Sequence, residues 1–426
     1  MDRFTGLLGI ALILGLAFAL SNNRRRINYR VVGVGLGLQL TLAVFILKTA
    51  PGKAIFGYLG AGVKTLLGYA DAGAAFVFGP LVDQRLMVGV FGEGNDFVFF
   101  FKIIPTIIFV SVLVAMAYHI GLMQRVVSLT ARGVHALMRV SGAEAVSNVA
   151  SAFVGQVEAQ IMIKPYLKGM TQSELLASMT GSMACIAGGV MAVYIALGIP
   201  AEFLLAASLM AAPGALVISK IVYPETEVSE TQGTVRLHVE KKSANLLDAI
   251  AAGASDGLKI SLNVVAMLIG FLALIALVDA LLGLVGTGLV YTGLTPEAVG
   301  LDLSQLSLKT LLGALFSVFA WCMGVPSADM LTAGSLMGTK LAVNEFVAYL
   351  DLAALLKAGT LDPRTVVVVS FALCGFANFA SVAIQVGGIG QLAPERRADL
   401  SRLGFKALFC GTLASYLSAS IAGILS

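Results

Sequence analysis

Six stretches of this 426-residue chain, 4–20, 31–48, 97–118, 201–222, 261–286 and 401–425, are strongly apolar and nearly free of charge. Each is about 20 residues long, and a helix of that length spans the roughly 30 Å hydrocarbon core of a bilayer. In hydrocarbon an unpaired backbone N–H or C=O costs several kcal/mol, so a spanning segment is either a helix or a strand of a closed barrel. These runs do not alternate polar and apolar residues, which selects helices. Two further runs, about 175–198 and 365–390, are apolar but interrupted by glycine and polar residues. The expectation is an all-α polytopic membrane protein with about eight transmembrane helices. Composition agrees: 12% of residues are charged, about half the share of a soluble domain.

The net charge of +4 is scattered beside apolar runs, the pattern of topology signals rather than of a nucleic-acid surface. Arg24, Arg25, Arg26 and Arg30 follow the first run, whereas Asp2 and Arg3 before it cancel. Positive charge stays in the cytoplasm. This reads 4–20 as a retained first helix with its N-terminus outside, although Ala17-Phe18-Ala19 resembles a signal-peptidase site. Cys185, Cys322, Cys374 and Cys410 lie in apolar stretches and read as buried small residues. His119, His135 and His238 are too far apart to offer metal-ligand spacing. The chain has no HExxH motif and no second acid placed for a protease dyad, so it reads as no enzyme.

Two segments suit the membrane surface better than its interior. In 122–140, Arg125, Arg132 and Arg139 recur on one helical face with Leu122, Val126, Leu129, Leu137 and Val140 around them. In 243–259, Ser243 is placed to cap a helix whose polar side carries Asp248, Asp256 and Lys259. Residues 224–242 read as a solvent-exposed polar loop.

One pattern points to a site. Glu158 stands in the polar stretch Gly155 to Gln160, and thirty residues later an apolar run is broken at Ala187-Gly188-Gly189. Glu345 stands beside Asn344, and thirty residues later a second run is broken at Cys374-Gly375-Phe376-Ala377-Asn378. Each pair precedes a long apolar run, 201–222 or 401–425. Duplicated units with interrupted helices mark binding sites near the bilayer midplane. Freed carbonyls there can ligate a cation, and helix N-termini can meet polar substrate atoms. A carboxylate at the bilayer centre costs about 2.5–3.5 kcal/mol on insertion scales. Both acids therefore need partners: Gln156 and Lys164 are close to Glu158 in sequence, Asn344 and Lys340 to Glu345. Asp329 and Asp279 are weaker candidates near segment ends.

Over these residues the chain resembles the concentrative nucleoside transporter family. The resemblance rests on Gly155-Gln156-Val157-Glu158-Ala159, Met170 to Leu175, Ala187-Gly188-Gly189, Met210 to Gly214, Asn263 to Ala276, Lys340 with Asn344 to Tyr349, and Phe371 to Asn378. It runs from about residue 95 to the C-terminus in the order of the bacterial branch. The resemblance implies a secondary active transporter of the inner membrane that imports nucleosides, uridine among them, by cation symport. It implies a homotrimer whose protomers work as elevators. A scaffold domain would comprise 1–120 and 261–300. A transport domain of two re-entrant hairpin repeats, related by inversion, would comprise 121–222 and 301–426, with 223–260 as polar loop and interfacial helix between them. Gln156, Val157 and Glu158 would face the nucleobase, with Val190 packed near it. Glu345, Asn378 and Ser381 would hold the ribose hydroxyls, with Phe376 lining the pocket. No organic cofactor is implied. The alternative within transport is a cation-coupled carrier of another small polar solute, such as a nucleobase or a sugar.

Three positions depart from the sodium-coupled members. Ser151 replaces an asparagine, Cys185 a serine and Val157 a threonine. A sodium ion would be left with Ser151, Cys185 and backbone carbonyls near Val154 and Ile186, and a thiol is a poor ligand for a hard cation. Proton-coupled members also carry serine at the first position, so the reading leans toward protons with sodium as the alternative.

Overall fold

A computed structural model describes residues 5–92, 98–232, 243–291 and 306–426, and among them every regular element is helical. Helices α1 (Thr5–Ala19), α2 (Tyr29–Lys48), α3 (Ala50–Gly68), α4 (Ala70–Phe78) and α5 (Gln84–Phe91) precede the long α6 (Phe99–His119). Then come α7 (Leu122–Met138), α8 (Gly142–Ser151), α9 (Glu158–Ile161), α10 (Gln172–Ala184), α11 (Gly188–Ala196) and α12 (Ala201–Val222). The rest is α13 (Leu246–Tyr291), α14 (Leu308–Cys322), α15 (Met330–Ala342), α16 (Glu345–Ala358), α17 (Pro363–Leu373), α18 (Phe379–Leu392) and α19 (Arg397–Leu425). Seven helical stretches of the described residues are long and apolar enough to cross a bilayer.

The helices sort into an inner and an outer set. In the most apolar 18 residues of α12, 78% are buried, and of the stretch containing α19, 83%; the figure for α13 is 6%. α19 packs on α10, α12, α17, α18 and α1, and α12 lies against α2 and α10. α13 packs chiefly along α6. There Gly253 and Gly257 leave no room for a Cβ against Ser111, Val112 and Ile108, so the two backbones cross closely.

Polar side chains fix the helix ends. Ser141 and Glu144 form a reciprocal capping box at α8, and Thr171 and Glu174 form one at α10. Lys220, near the end of α12, pairs with buried Glu144 and donates to Ser173 Oγ at 2.8 Å and to Glu225 Oε2 at 3.4 Å. Arg24 donates to Phe18 O at 3.1 Å and Ala19 O at 3.0 Å, placing a cation on the negative end of α1.

The structure corrects three expectations. Residues 243–259 are not a separate surface helix. α13 runs unbroken for 46 residues, roughly 69 Å at the helical rise, and the division at 260 is no break in the backbone. Asp256 and Lys259 are exposed on it, and a change of polarity alone does not interrupt backbone hydrogen bonding. Its cap is Asn245 rather than Ser243: Asn245 Oδ1 accepts from Asp248 N at 2.9 Å, and Asp248 Oδ2 accepts from Ala244 N at 2.8 Å. The loop after α12 is not wholly exposed either. Ser229 and Thr231 are buried, both donate to Glu174 Oε1, and Gly142 N donates to Thr231 O at 3.0 Å. The rest of that expected loop, 233–242, lies outside the described residues, as do 292–300 of the expected scaffold segment and Asp2, Arg3 and His238.

α7 has the expected exposed arginines and exposed Leu122, Leu129 and Leu137, but Val140 is buried. The helix docks through Val127, Ala131, Val134 and Met138. All four cysteines are buried and unpaired.

Candidate functional site

The two interrupted runs meet at their interruptions. α10 ends at Ala184 and α11 starts at Gly188; α17 ends at Leu373 and α18 starts at Phe379. Phe376 N donates to Cys185 O at 3.2 Å, so one break is hydrogen-bonded to the other. Gly375 makes this crossing possible. Its φ is +128°, and a Cβ there would stand 2.7 Å from Ala184 O and from Met183 O. Only glycine takes that backbone without strain. Gly375→Ala is expected to cost more than the roughly 1–3 kcal/mol of the dihedral strain alone. The melting temperature of the purified protein should fall accordingly; an unchanged melting temperature would show that the crossing tolerates a side chain.

Two helix–turn–helix hairpins sit over the crossing, α8–α9 and α15–α16. At the first, Gly188 N donates to Phe153 O at 3.2 Å, seating the turn at 152–157 on the start of α11. At the second, Asn344 caps α16, with Oδ1 accepting from Val347 N at 2.9 Å.

Glu345 follows in the first turn of α16, where the positive end of the helix dipole favours a carboxylate. It is buried; Oε1 accepts from Tyr194 Oη at 3.2 Å and Oε2 from Asn378 Nδ2 at 3.0 Å. Tyr194 stacks on Tyr349 at 4.2 Å, and Tyr349 donates to Ser370 O at 2.9 Å, so the tyrosine has one orientation. Asn378 caps α18, its Oδ1 accepting from Ser381 N at 2.8 Å. Its amide therefore points its NH2 at the carboxylate. Lys340, also buried, donates to Ala372 O at 2.8 Å and Ser415 Oγ at 3.4 Å, at the end of α17. Its charge lies behind the carboxylate without bonding it.

The first hairpin supplies a second polar group. Gln156 Oε1 accepts from Gln385 Nε2 at 3.4 Å, which also donates to Met179 O at 3.2 Å. Val157 presses on α18, where a Cβ at Gly388 would lie 2.5 Å from its Cγ2. Glu158 is exposed at the start of α9, its carboxylate folded over Gly155. Val190 and Phe376 are half-buried, and Ser381 is buried.

The four residues of the cation reading flank in sequence the contact of Phe153 with Gly188. Val154, Cys185 and Ile186 are buried. Ser151 Oγ donates to Ser147 O at 2.8 Å and lies 3.0 Å from Ser182 Oγ. The weaker acids hold structure together. Asp279 Oδ1 accepts from Leu308 N at 2.7 Å at the start of α14; Asp329 Oδ2 accepts from Thr365 Oγ1 at 2.7 Å and Asp362 N at 2.9 Å.

The structure thus gathers Glu345 with Asn378 and Ser381, and Gln156 with Val157 against α18. It adds Tyr194, Gln385 and Gln160, which the sequence reading does not single out. For Gln385 a signal exists: it stands seven residues after Asn378, two helical turns along one face of an apolar helix. For Tyr194 none does, since its partner lies 151 positions away.

Known proteins share this architecture over its whole length. The N-terminal and C-terminal models of the Na+ dependent nucleoside transporter match residues 8–81 and 203–423, and a nucleoside recognition model, the gate, matches 100–201. An uncharacterized transporter of Bacillus subtilis is 42% identical over 426 residues, with 100% of both chains covered. Nucleoside permease NupC of Helicobacter pylori is 37% identical, covering 98% of this chain and 96% of its own. Sodium/nucleoside cotransporter 1 of Rattus norvegicus is 37% identical over 100% of this chain and 64% of its own length. Among solved structures, CNTnw in an inward-facing substrate-bound state matches with TM-score 0.91 at 39% identity, covering 100% of this chain and 98% of that one. A variant of CNTnw in an intermediate state matches with TM-score 0.93 at the same 39% identity, covering 100% and 99%. The chain is a multi-pass protein of the inner membrane and belongs to the concentrative nucleoside transporter family.

Proposed function

We propose that this chain imports nucleosides by cation symport. The observation that carries the reading is Glu345, a buried carboxylate at the crossing of two broken helices with both oxygens held by neutral donors. A ribose diol is a pair of hydroxyl donors. Glu345 accepts from them through its remaining lone pairs, and Asn378 and Ser381 stand beside it. Gln156 and Glu158, with Val157 and Val190, take the nucleobase, and Phe376 packs against the sugar. An analogue lacking a hydroxyl leaves a buried acceptor unpaired, which is the basis of selectivity.

We read α8–α9 and α15–α16 as re-entrant hairpins of an inverted repeat, and the helices around the crossing as a transport domain that moves as an elevator. The scaffold is then α1–α6 with the spanning part of α13, and the assembly a homotrimer. What supports the repeat is the order of elements: hairpin, broken helix and long helix occur in that sequence twice. Uridine is the substrate to test first.

For the coupling ion, the thiol at Cys185 and the occupied hydroxyl of Ser151 favour a proton. The second reading, sodium, is favoured by the family's description and by the sodium-named rat relative. One charge crossing 100 mV is worth about 2.3 kcal/mol, roughly a fiftyfold accumulation. In vesicles at constant sodium, uridine uptake is expected to follow an imposed pH gradient. Uptake that tracks a sodium gradient and ignores pH would establish the second reading instead.

A further inference from the structure

The first hairpin is joined to α10 by a closed ladder of side chains. Gln160, in α9, is fully buried. Its Nε2 donates to Ser147 Oγ at 3.0 Å and to Ser182 Oγ at 2.9 Å. Its Oε1 accepts from Ser178 Oγ at 2.5 Å and lies 3.4 Å from Ser147 Oγ. Both N–H donors of the amide are thereby engaged, and its oxygen accepts from Ser178. Ser147 and Ser178 hydroxyls are 2.6 Å apart. Ser151 donates to Ser147 O, so its oxygen accepts the proton of Ser182. One assignment of protons satisfies every rung: Ser147 to Ser178, Ser178 to Gln160, Gln160 to Ser182 and Ser147, Ser182 to Ser151. All five side chains are buried, and they come from α8, α9 and α10.

This ladder engages the one side-chain hydroxyl that a cation there would use. A hard ion between hairpin and break takes oxygen lone pairs from the residues it joins. Ser151 supplies the side-chain hydroxyl on the hairpin side, and that hydroxyl is the end rung. Satisfied polar networks rigidify the elements they connect.

We propose that Gln160 is a positioning residue that fastens the first hairpin to α10 in place of a cation, so that hairpin closure and nucleoside affinity in this chain are independent of sodium. The proposal rests on the transport reading and extends it to how the site is held shut.

The test uses the purified full-length protein in sodium chloride and in choline chloride at equal ionic strength and pH. Tm and the uridine Kd are expected to agree in the two salts, the Kd within about twofold. Gln160→Met keeps the volume but strands the serines, and uridine binding should weaken by about tenfold or more. Ser182→Ala should weaken binding as Gln160→Met does. Ser182→Thr keeps the hydroxyl and should restore wild-type affinity, an outcome that a volume effect would not produce. A wild-type Kd about tenfold lower in sodium, or a Tm raised by sodium, would overturn the proposal. So would unchanged affinity in Gln160→Met. If that variant fails to fold, the Ser182 pair and the wild-type salt comparison decide. Absence of uridine binding in both salts would fault the nucleoside reading, while the salt dependence of Tm still decides the fastening.

Discussion

Uridine accumulation is expected to fall by about a hundredfold or more in Glu345→Gln, with the protein still folded. The carboxylate accepts from Tyr194 Oη at 3.2 Å and Asn378 Nδ2 at 3.0 Å. Glutamine has the same size but one acceptor oxygen and one NH2. Asn378 cannot turn over to meet the NH2, because its oxygen caps α18 through Ser381 N at 2.8 Å. If the amide oxygen faces Asn378, the NH2 faces Tyr194, whose own proton then lacks an acceptor. The charge we propose for binding the sugar hydroxyls is also gone. A hydrogen bond to a charged group contributes about 1.5–3 kcal/mol, roughly ten- to a hundredfold, so losing those to both ribose hydroxyls accounts for a factor of this size. Radiolabelled uridine uptake in vesicles measures it, with size-exclusion chromatography and Tm as controls for folding. Wild-type uptake by the variant would remove Glu345 from the binding site.

Lys220→Met is expected to destabilise the protein strongly without touching the site. Lys220 pairs with Glu144, which is 1% exposed, and also reaches Ser173 and Glu225. Removing one partner of a buried pair leaves the other charge uncompensated, at roughly 3–5 kcal/mol. The same carboxylate completes the capping box of α8 through Ser141 N at 3.0 Å, so its disturbance reaches the first hairpin. The double variant Lys220→Met with Glu144→Gln should recover most of the loss, because the stranded charge goes with it. Thermal unfolding of both variants tests this; equal losses in the single and the double variant would show that the ion pair is not what holds α8 to α12.

Much of the helical framework was legible because hydrocarbon allows few solutions. The runs 4–20, 31–48, 97–118 and 201–222 became α1, α2, α6 and α12 with ends shifted by a residue or two. Both breaks fell where glycine and polar residues interrupt the apolar run. Two regions escaped. Residues 50–91 carry Lys53, Lys64 and Asp71 among many glycines, and their mean hydropathy of 1.4 is the lowest of the candidate spans. α14 has 15 residues, short for a crossing. The start of α13 is not legible in polarity, which reports surroundings, whereas helix continuity depends on backbone hydrogen bonds that Asp256 and Lys259 leave intact.

By itself, the sequence determined that the chain lives in a bilayer, that its backbone is helical, and that Glu158 and Glu345 stand on paired polar interruptions. These follow from local pattern and from the cost of unpaired backbone groups in lipid. Tertiary structure decided which polar groups meet. It gave the two acids different surroundings, burying Glu345 between Tyr194 and Asn378 and leaving Glu158 exposed. It joined the breaks through Cys185 and Phe376, set Gln385 on Gln156, and closed Gln160 into a ladder of serines. Periodicity gives the face on which a residue stands. Its partner across the bundle is set by how the helices cross, and that depends on close approaches such as the one at Gly375.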